Sequence, residues 1–106
     1  MSNIYKIKTE EIEEFIKFKN TNKLILFYKQ DCLACKLQLE DIIKISELYK
    51  ENIEYAICDT QGETKYCIKH KIIHVPTIQI YKNNKFNKQL ESRQQYDSLI
   101  KEITIM

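Results

Sequence analysis

Cys32-Leu33-Ala34-Cys35 is the part of this sequence best suited to covalent chemistry. Two cysteines with two residues between them meet across one helical turn and can exchange a disulfide with a substrate. The tetrapeptide follows the apolar run Leu24-Ile25-Leu26-Phe27-Tyr28 and opens a long segment of helical pattern. At such a junction the unpaired N–H groups and dipole of the helix favour a thiolate on Cys32 and lower its pKa. Cys35, one turn inside, is the more buried partner, placed to attack a mixed disulfide and release the substrate as a dithiol. The spacing is equally that of half a zinc site, and Cys58 and Cys67 bring the total to the 4 cysteines of a tetrahedral one. The eight residues between them are not a knuckle spacing, so both are expected to be small buried or half-buried thiols. A second, regulatory disulfide is the other use open to them.

A second element stands at His74-Val75-Pro76-Thr77, where the only proline directly precedes a strand pattern. X-Pro bonds carry only a small trans preference, and Pro76 is expected to follow a cis peptide. That arrangement would leave the preceding backbone free to pair with an extended substrate. His74, if protonated, could offset the charge of Asp31 and favour the thiolate. The plainer reading is a surface-loop histidine.

Positioning these residues takes an alternation of two periodicities. Residues 4–7 read as a short strand, and Thr9 can N-cap a helix carrying Glu10 and Glu11 in its first turn, with Ile12, Phe15 and Ile16 as its apolar stripe. Residues 23–29 suit a central strand buried on both faces. A helix over about 32–49 offers Leu39, Ile42, Ile43 and Tyr49 to the sheet. Residues 53–58 form the third strand, and Thr60 with Glu63 can make a capping box for a helix reaching about Lys71. Residues 77–81 and 86–90 alternate at period two across Asn83-Asn84, a pair that tolerates the positive φ of a tight hairpin turn. Ser92 with Gln95 caps a final helix carrying Tyr96, Leu99, Ile100 and Ile103. The order β-α-β-α-β-α-β-β-α implies parallel crossovers first and an antiparallel hairpin last.

The chain has 106 residues, 43% hydrophobic and 30% charged, which fits one α/β domain over 1–106. Lys+Arg 17 against Asp+Glu 15 is too balanced to make nucleic acid a main partner. No apolar run approaches the roughly 18 residues of a membrane span, and no signal-like stretch opens the chain. A cytoplasmic setting, no membrane association and a monomer are therefore expected. Glycine and proline number only 1 each, against about a dozen in an average chain this long. Gly62 and Pro76 must stand where they matter, and other turns must use Asn, Asp, Ser and Lys.

With strand order, Cys-x-x-Cys at the exit of the second strand and Val75-Pro76-Thr77 before the fourth, the sequence resembles the thioredoxin family over essentially its whole length. The resemblance implies a thioredoxin fold, a central mixed five-stranded sheet flanked by four helices. It also implies disulfide reduction on protein substrates, with Cys32 attacking, Cys35 resolving and Pro76 as the cis-proline. Val75, Pro76 and Thr77 would then shape the substrate groove, together with Leu33, His74 and Asp31. No cofactor is implied beyond the redox-active disulfide Cys32–Cys35. Reducing equivalents would come from a flavin-dependent thioredoxin reductase.

Some positions depart from the family pattern. Members usually carry Trp-Cys-Gly-Pro-Cys, whereas Asp31 precedes Cys32 here and Leu33-Ala34 fill the loop. Asp31 places a negative charge beside the thiolate, which raises the Cys32 pKa against the helix effect and repels acidic substrates. Leu33 offers an exposed apolar contact. The buried aspartate and lysine usual behind the cysteines are replaced by Leu26 and Ile57, which suggests slower resolution or a proton route through water. Asp31, Leu26 and Ile57 suggest a second class, a redox-inactive binding module on the same fold; the four cysteines leave a third, a zinc-bound structural protein.

Overall fold

The computed structural model describes residues 3–106. The run Leu24–Phe27 has no polar side chain to turn toward water, so it is stable only with both faces covered. It lies inside β2 (Asn22–Tyr28), the middle strand of a five-stranded sheet ordered β1-β3-β2-β4-β5. β1 (Ile4–Ile7) and β2 run parallel to β3 (Ile53–Asp59) on either side of it. β4 (Thr77–Lys82) is antiparallel to β2 and forms a hairpin with β5 (Lys85–Glu91). The expected order, crossovers and hairpin are all present.

Alternation along a strand sends successive side chains to opposite faces, and β2 feeds two cores in this way. Leu24 and Leu26 pack with Ile42 and Ile45 of α2 (Leu33–Leu48) and with Leu99 and Ile103 of α4 (Tyr96–Thr104). Ile25 and Phe27 pack with Ile12 and Phe15 of α1 (Ile12–Lys17), and Tyr66 and Cys67 of α3 (Thr64–Lys69) join that cluster. The four helices are therefore divided two to a face.

On α2 the buried positions are Cys35, Gln38, Ile42, Ile45 and Ser46, following the 3.6-residue period from the active-site turn onward. Leu39 and Tyr49 pack at the edge of the cluster. Ile43, expected on the sheet side, lies off the stripe and is only half-buried; Ile45 takes its place.

Three expected caps are not formed. Residues Thr9–Glu11 make a 3-10 turn before α1, closed by the Glu11 carboxylate accepting from the Lys8 N–H at 2.8 Å. The Thr9 hydroxyl instead donates to the carboxylate of Glu63. The Glu63 carboxylate is thereby engaged away from Thr60, although the Glu63 N–H donates to the Thr60 carbonyl at 3.0 Å, and Glu63 is the N-cap residue of α3 without a side-chain cap bond. The Thr60 hydroxyl donates to the Tyr28 carbonyl at 3.1 Å, tying β3 to β2. Gln95, with no side-chain cap bond, is the N-cap of α4, and Ser92 sits at φ 62° in the turn before it. In each case a tertiary partner or a turn claimed the group that local spacing assigned to a cap.

The scarcity of glycine is met as composition implied. Among the described residues Gly62 takes φ 77°, and seven others also have positive φ: Lys19, Asp31, Asn52, Lys71, Asn83, Asn84 and Ser92. All seven are Lys, Asp, Asn or Ser.

Candidate redox site

The register brings four loops to one end of the sheet. Thr77 opens β4 opposite Phe27, and Tyr28 closes β2 opposite Asp59 at the end of β3. Glu91 closes β5 opposite Thr77. The chain leaving β2 toward Cys32, the chain entering β4 through Pro76, the β3–α3 turn and the β5–α4 loop therefore share one rim.

Cys32 and Cys35 are joined by a disulfide with their Cα atoms 5.2 Å apart. Cys32 is the N-cap residue of α2, in extended conformation at φ −112°, and its Sγ accepts from the Cys35 N–H at 3.2 Å. An N-cap side chain takes up one of the orphan donors of the first turn, and here the cap is the sulfur itself. No acidic residue stands in the first turn of α2 itself, whereas Asp31, just before the cap, sets a carboxylate against the pull of the helix terminus on a thiolate. Cys32 is half-buried, whereas Cys35 is only 3% exposed, the asymmetry expected of an attacking and a resolving thiol.

Around the pair, Asp31 is exposed at φ 61° and Leu33 is 71% exposed. Val75 is half-buried, His74 is exposed, and the Val75–Pro76 peptide is cis. Pro76 itself is buried. The Thr77 side chain is fully buried and its hydroxyl donates to the His74 carbonyl at 2.6 Å. It braces the loop that enters β4. Leu26 and Ile57 face each other in register and both lie in the apolar cluster on the α2 side, so no ionisable side chain occupies either position.

Cys58 and Cys67 are free thiols, the first buried and the second half-buried, as their contexts implied. Burial, reinforced by Glu63 and Asp59, pushes the Cys58 thiol up to about 12. Burial also raises Cys67, against the opposing charge of Lys29. Among the described residues no three His, Cys, Asp or Glu side chains gather in a metal-binding cluster.

One residue near the site had gone unnoticed in the sequence. Gln38, fully buried one turn after Cys35, accepts from the Gln94 N–H at 2.6 Å and donates to the Gln94 carbonyl at 3.3 Å. It fastens the β5–α4 loop to the helix that carries the disulfide, and Arg93 adds an ion pair to Asp41 at 3.5 Å. The available signal was a polar residue three positions after Cys35 on the helix's buried stripe.

The family model for Thioredoxin matches residues 3–105. A thioredoxin of Acetoanaerobium sticklandii is 33% identical over 60 residues, which cover 57% of this chain and 57% of that one. The protein disulfide-isomerase of Saccharomyces cerevisiae is 28% identical over 93 residues, 85% of this chain and 17% of that protein. The chain thus spans little more than half the length of the curated thioredoxins it matches. Among solved structures, oxidised mitochondrial thioredoxin 3 of Saccharomyces cerevisiae superposes with a TM-score of 0.84 at 21% identity, over 99% of this chain and 97% of that one.

Proposed function

The chain belongs to the thioredoxin family, and from that premise we propose that it is a thiol-disulfide oxidoreductase reducing disulfides of client proteins through Cys32 and Cys35. The observation that carries this reading is the placement of the pair: Cys32 caps α2 within reach of solvent, and Cys35 is buried one turn behind it. In the dithiol form the Cys35 N–H, 3.2 Å from Cys32 Sγ, and the end of the helix hold negative charge on the attacking sulfur. The Cys32 thiolate attacks one sulfur of the client disulfide; that bond breaks, and the departing client thiolate takes a proton from water. Cys35 then loses its proton and attacks Cys32 Sγ, which breaks the mixed disulfide and releases the second client thiol. Two electrons have moved to the client, and the protein is left as the Cys32–Cys35 disulfide. With Leu26 where a buried acid would stand, the Cys35 proton leaves through water.

A flavin-dependent thioredoxin reductase would return the two electrons, and the reducing cytosol would be the natural setting. The disulfide is the only prosthetic chemistry the cycle requires. The first experiment is thiol trapping with mass mapping in glutathione and dithiothreitol buffers. We expect a reversible Cys32–Cys35 couple near the roughly −270 mV of a cytosolic protein reductant. A markedly more oxidising couple would reverse the working direction. Cys35→Ser should trap a mixed disulfide on Cys32, and Cys32→Ser should trap none. If no Cys32–Cys35 disulfide forms in any buffer, the redox reading fails and a binding module or zinc site must account for the pair.

A further inference from the structure

A groove of about 710 Å³ opens at the same rim as the disulfide, between α3 and the loop that enters β4. It meets the redox site through Lys29, three residues before Cys32, and through His74 and Val75. Two aliphatic side chains in its wall, Ile68 and Ile73, are 74% and 75% exposed. Single exposed aliphatic residues are ordinary, but two sharing one concave wall beside a reactive pair form an apolar contact surface.

The groove also has one sign of charge. Lys29 and Lys71 line it, His74 sits at its end, and no carboxylate is among its lining residues. Lys71 is held in place by its carbonyl, which accepts from Gln89 Nε2 at 3.0 Å. Beyond Gln61, which lines both, Glu10, Glu11, Asp59 and Glu63 line a neighbouring groove with Lys6 and Lys8. Asp59 there accepts from the Gln61 N–H at 2.9 Å and from Gln30 Nε2 at 3.3 Å. On the other side of Lys29, Asp31 is exposed next to Cys32.

We propose that this groove seats the client segment adjoining the reactive cysteine and selects segments that combine an aliphatic side chain with carboxylates. The assignment rests on the reading of Cys32–Cys35 as a client-reducing pair. Lys29 and Lys71 in the lining favour a carboxylate in the groove over a lysine, with Glu63, whose charge reaches Cys67 in the same wall, as a partial offset. Asp31 sets the register: the acidic residues must fall on the α3 side of the client cysteine, away from the active-site turn. The restriction on acidic clients expected from Asp31 alone thus becomes a directional one.

The test compares three disulfide peptides with one shared leucine core and paired Asp, Asn or Lys flanks, reduced by the full chain under single-turnover conditions. The expected order is Asp, then Asn, then Lys, with about fivefold between the extremes at low salt and convergence near 1 M salt. Lys71→Glu should invert the order of the Asp and Lys peptides, and the milder Lys71→Met should shrink the preference about twofold. Ile68→Ser with Ile73→Ser should slow the leucine peptides relative to a matching set with alanine in its place. Equal rates for all three flanks, or an order that Lys71→Glu leaves unmoved, would overturn the groove assignment while the redox reading stands. Failure of the wild-type chain to reduce any peptide or glutathione disulfide removes the redox reading and the client groove together.

Discussion

Four cysteines of one chain stand in four different surroundings, and their reactivity follows from those surroundings. Cys32 ends a loop and begins a helix, with an N–H aimed at its sulfur, while Cys35 is closed in by the helix it belongs to. Cys58 lies in the central sheet, where burial and then Glu63 and Asp59 push its thiol up to about 12. Only a thiolate alkylates at a useful rate. Reduced protein treated with iodoacetamide at pH 8 should therefore label first at Cys32, more slowly at Cys67, and at Cys58 only after unfolding; peptide mass mapping reads the order. Prompt native labelling of Cys58 would contradict the burial found for it.

Among the elements, the telling ones are the turns. A left-handed backbone costs an L-residue roughly 1–2 kcal/mol, and among the described residues seven other than glycine adopt it. Buried polar side chains hold several of these turns in place. Lys23, fully buried, donates to the Thr21 carbonyl at 2.9 Å and to Asn84 Oδ1 at 2.8 Å, and Asn22 Oδ1 accepts from the Asn83 N–H at 3.0 Å. The hairpin turn is thus clasped by the start of β2. Ser92→Gly should relieve local strain and raise stability by about 0.5–1 kcal/mol, visible as a rise of a few degrees in Tm. Gln38→Leu should act in the opposite sense. It strands the Gln94 N–H in a part-buried site, and a urea titration should show a loss of about 1–3 kcal/mol. Unchanged stability in that variant would mean the β5–α4 loop is held by other contacts.

For the whole molecule, two cores meet on the central strand, and protons are part of what holds them. Leu26 is fully buried between α2, α4 and the neighbouring strands, and Leu26→Ala should cost about 2–5 kcal/mol in a urea titration. Burial raises the pKa of Tyr28, Tyr55 and Tyr81 as well as that of Cys58. These acids are held neutral in the fold, which retains their protons more tightly than the unfolded chain does. Their contribution is complete below their ordinary values and is lost as pH rises from 9.0 toward about 12 for Cys58. Burial raises Tyr66 and Cys67 as well, so Lys23, whose pKa burial lowers, works against this trend as one group against six. His70, stacked on Tyr66 at 4.0 Å, is lowered by burial, so its contribution is present above its ordinary 6.5 and fades as pH falls below that. The urea midpoint should therefore fall above about pH 9, and His70→Gln should blunt the loss between pH 6.5 and 5. A midpoint that stays level to pH 10.5 would contradict the first expectation.

What the sequence determined by itself was whatever depends on short-range pattern. Residues 24–28 announced a strand covered on both faces, because Leu24, Ile25, Leu26 and Phe27 have no polar group to turn toward water. Cys32 and Cys35 announced a redox turn, because a helix start and a two-residue gap already contain its chemistry. Even the turns were legible, as a shortage of glycine leaves the positive-φ positions to asparagine, aspartate, serine and lysine. Tertiary structure decided the rest. Thr9, Thr60 and Ser92 matched local capping rules, yet each was claimed by a partner or a turn that spacing cannot reveal. Gln38 looked like an ordinary polar helix residue until the β5–α4 loop, 56 positions away, came to lie against it. The groove beside the disulfide sets Lys29, at the end of β2, against the stretch that carries Ile68, Lys71 and Ile73, about 40 positions further on, and the two meet only once β4 pairs with β2. Propensity and periodicity act over a helical turn or a hairpin, whereas a hydrogen bond or a shared wall depends on which surfaces the packed sheet brings together.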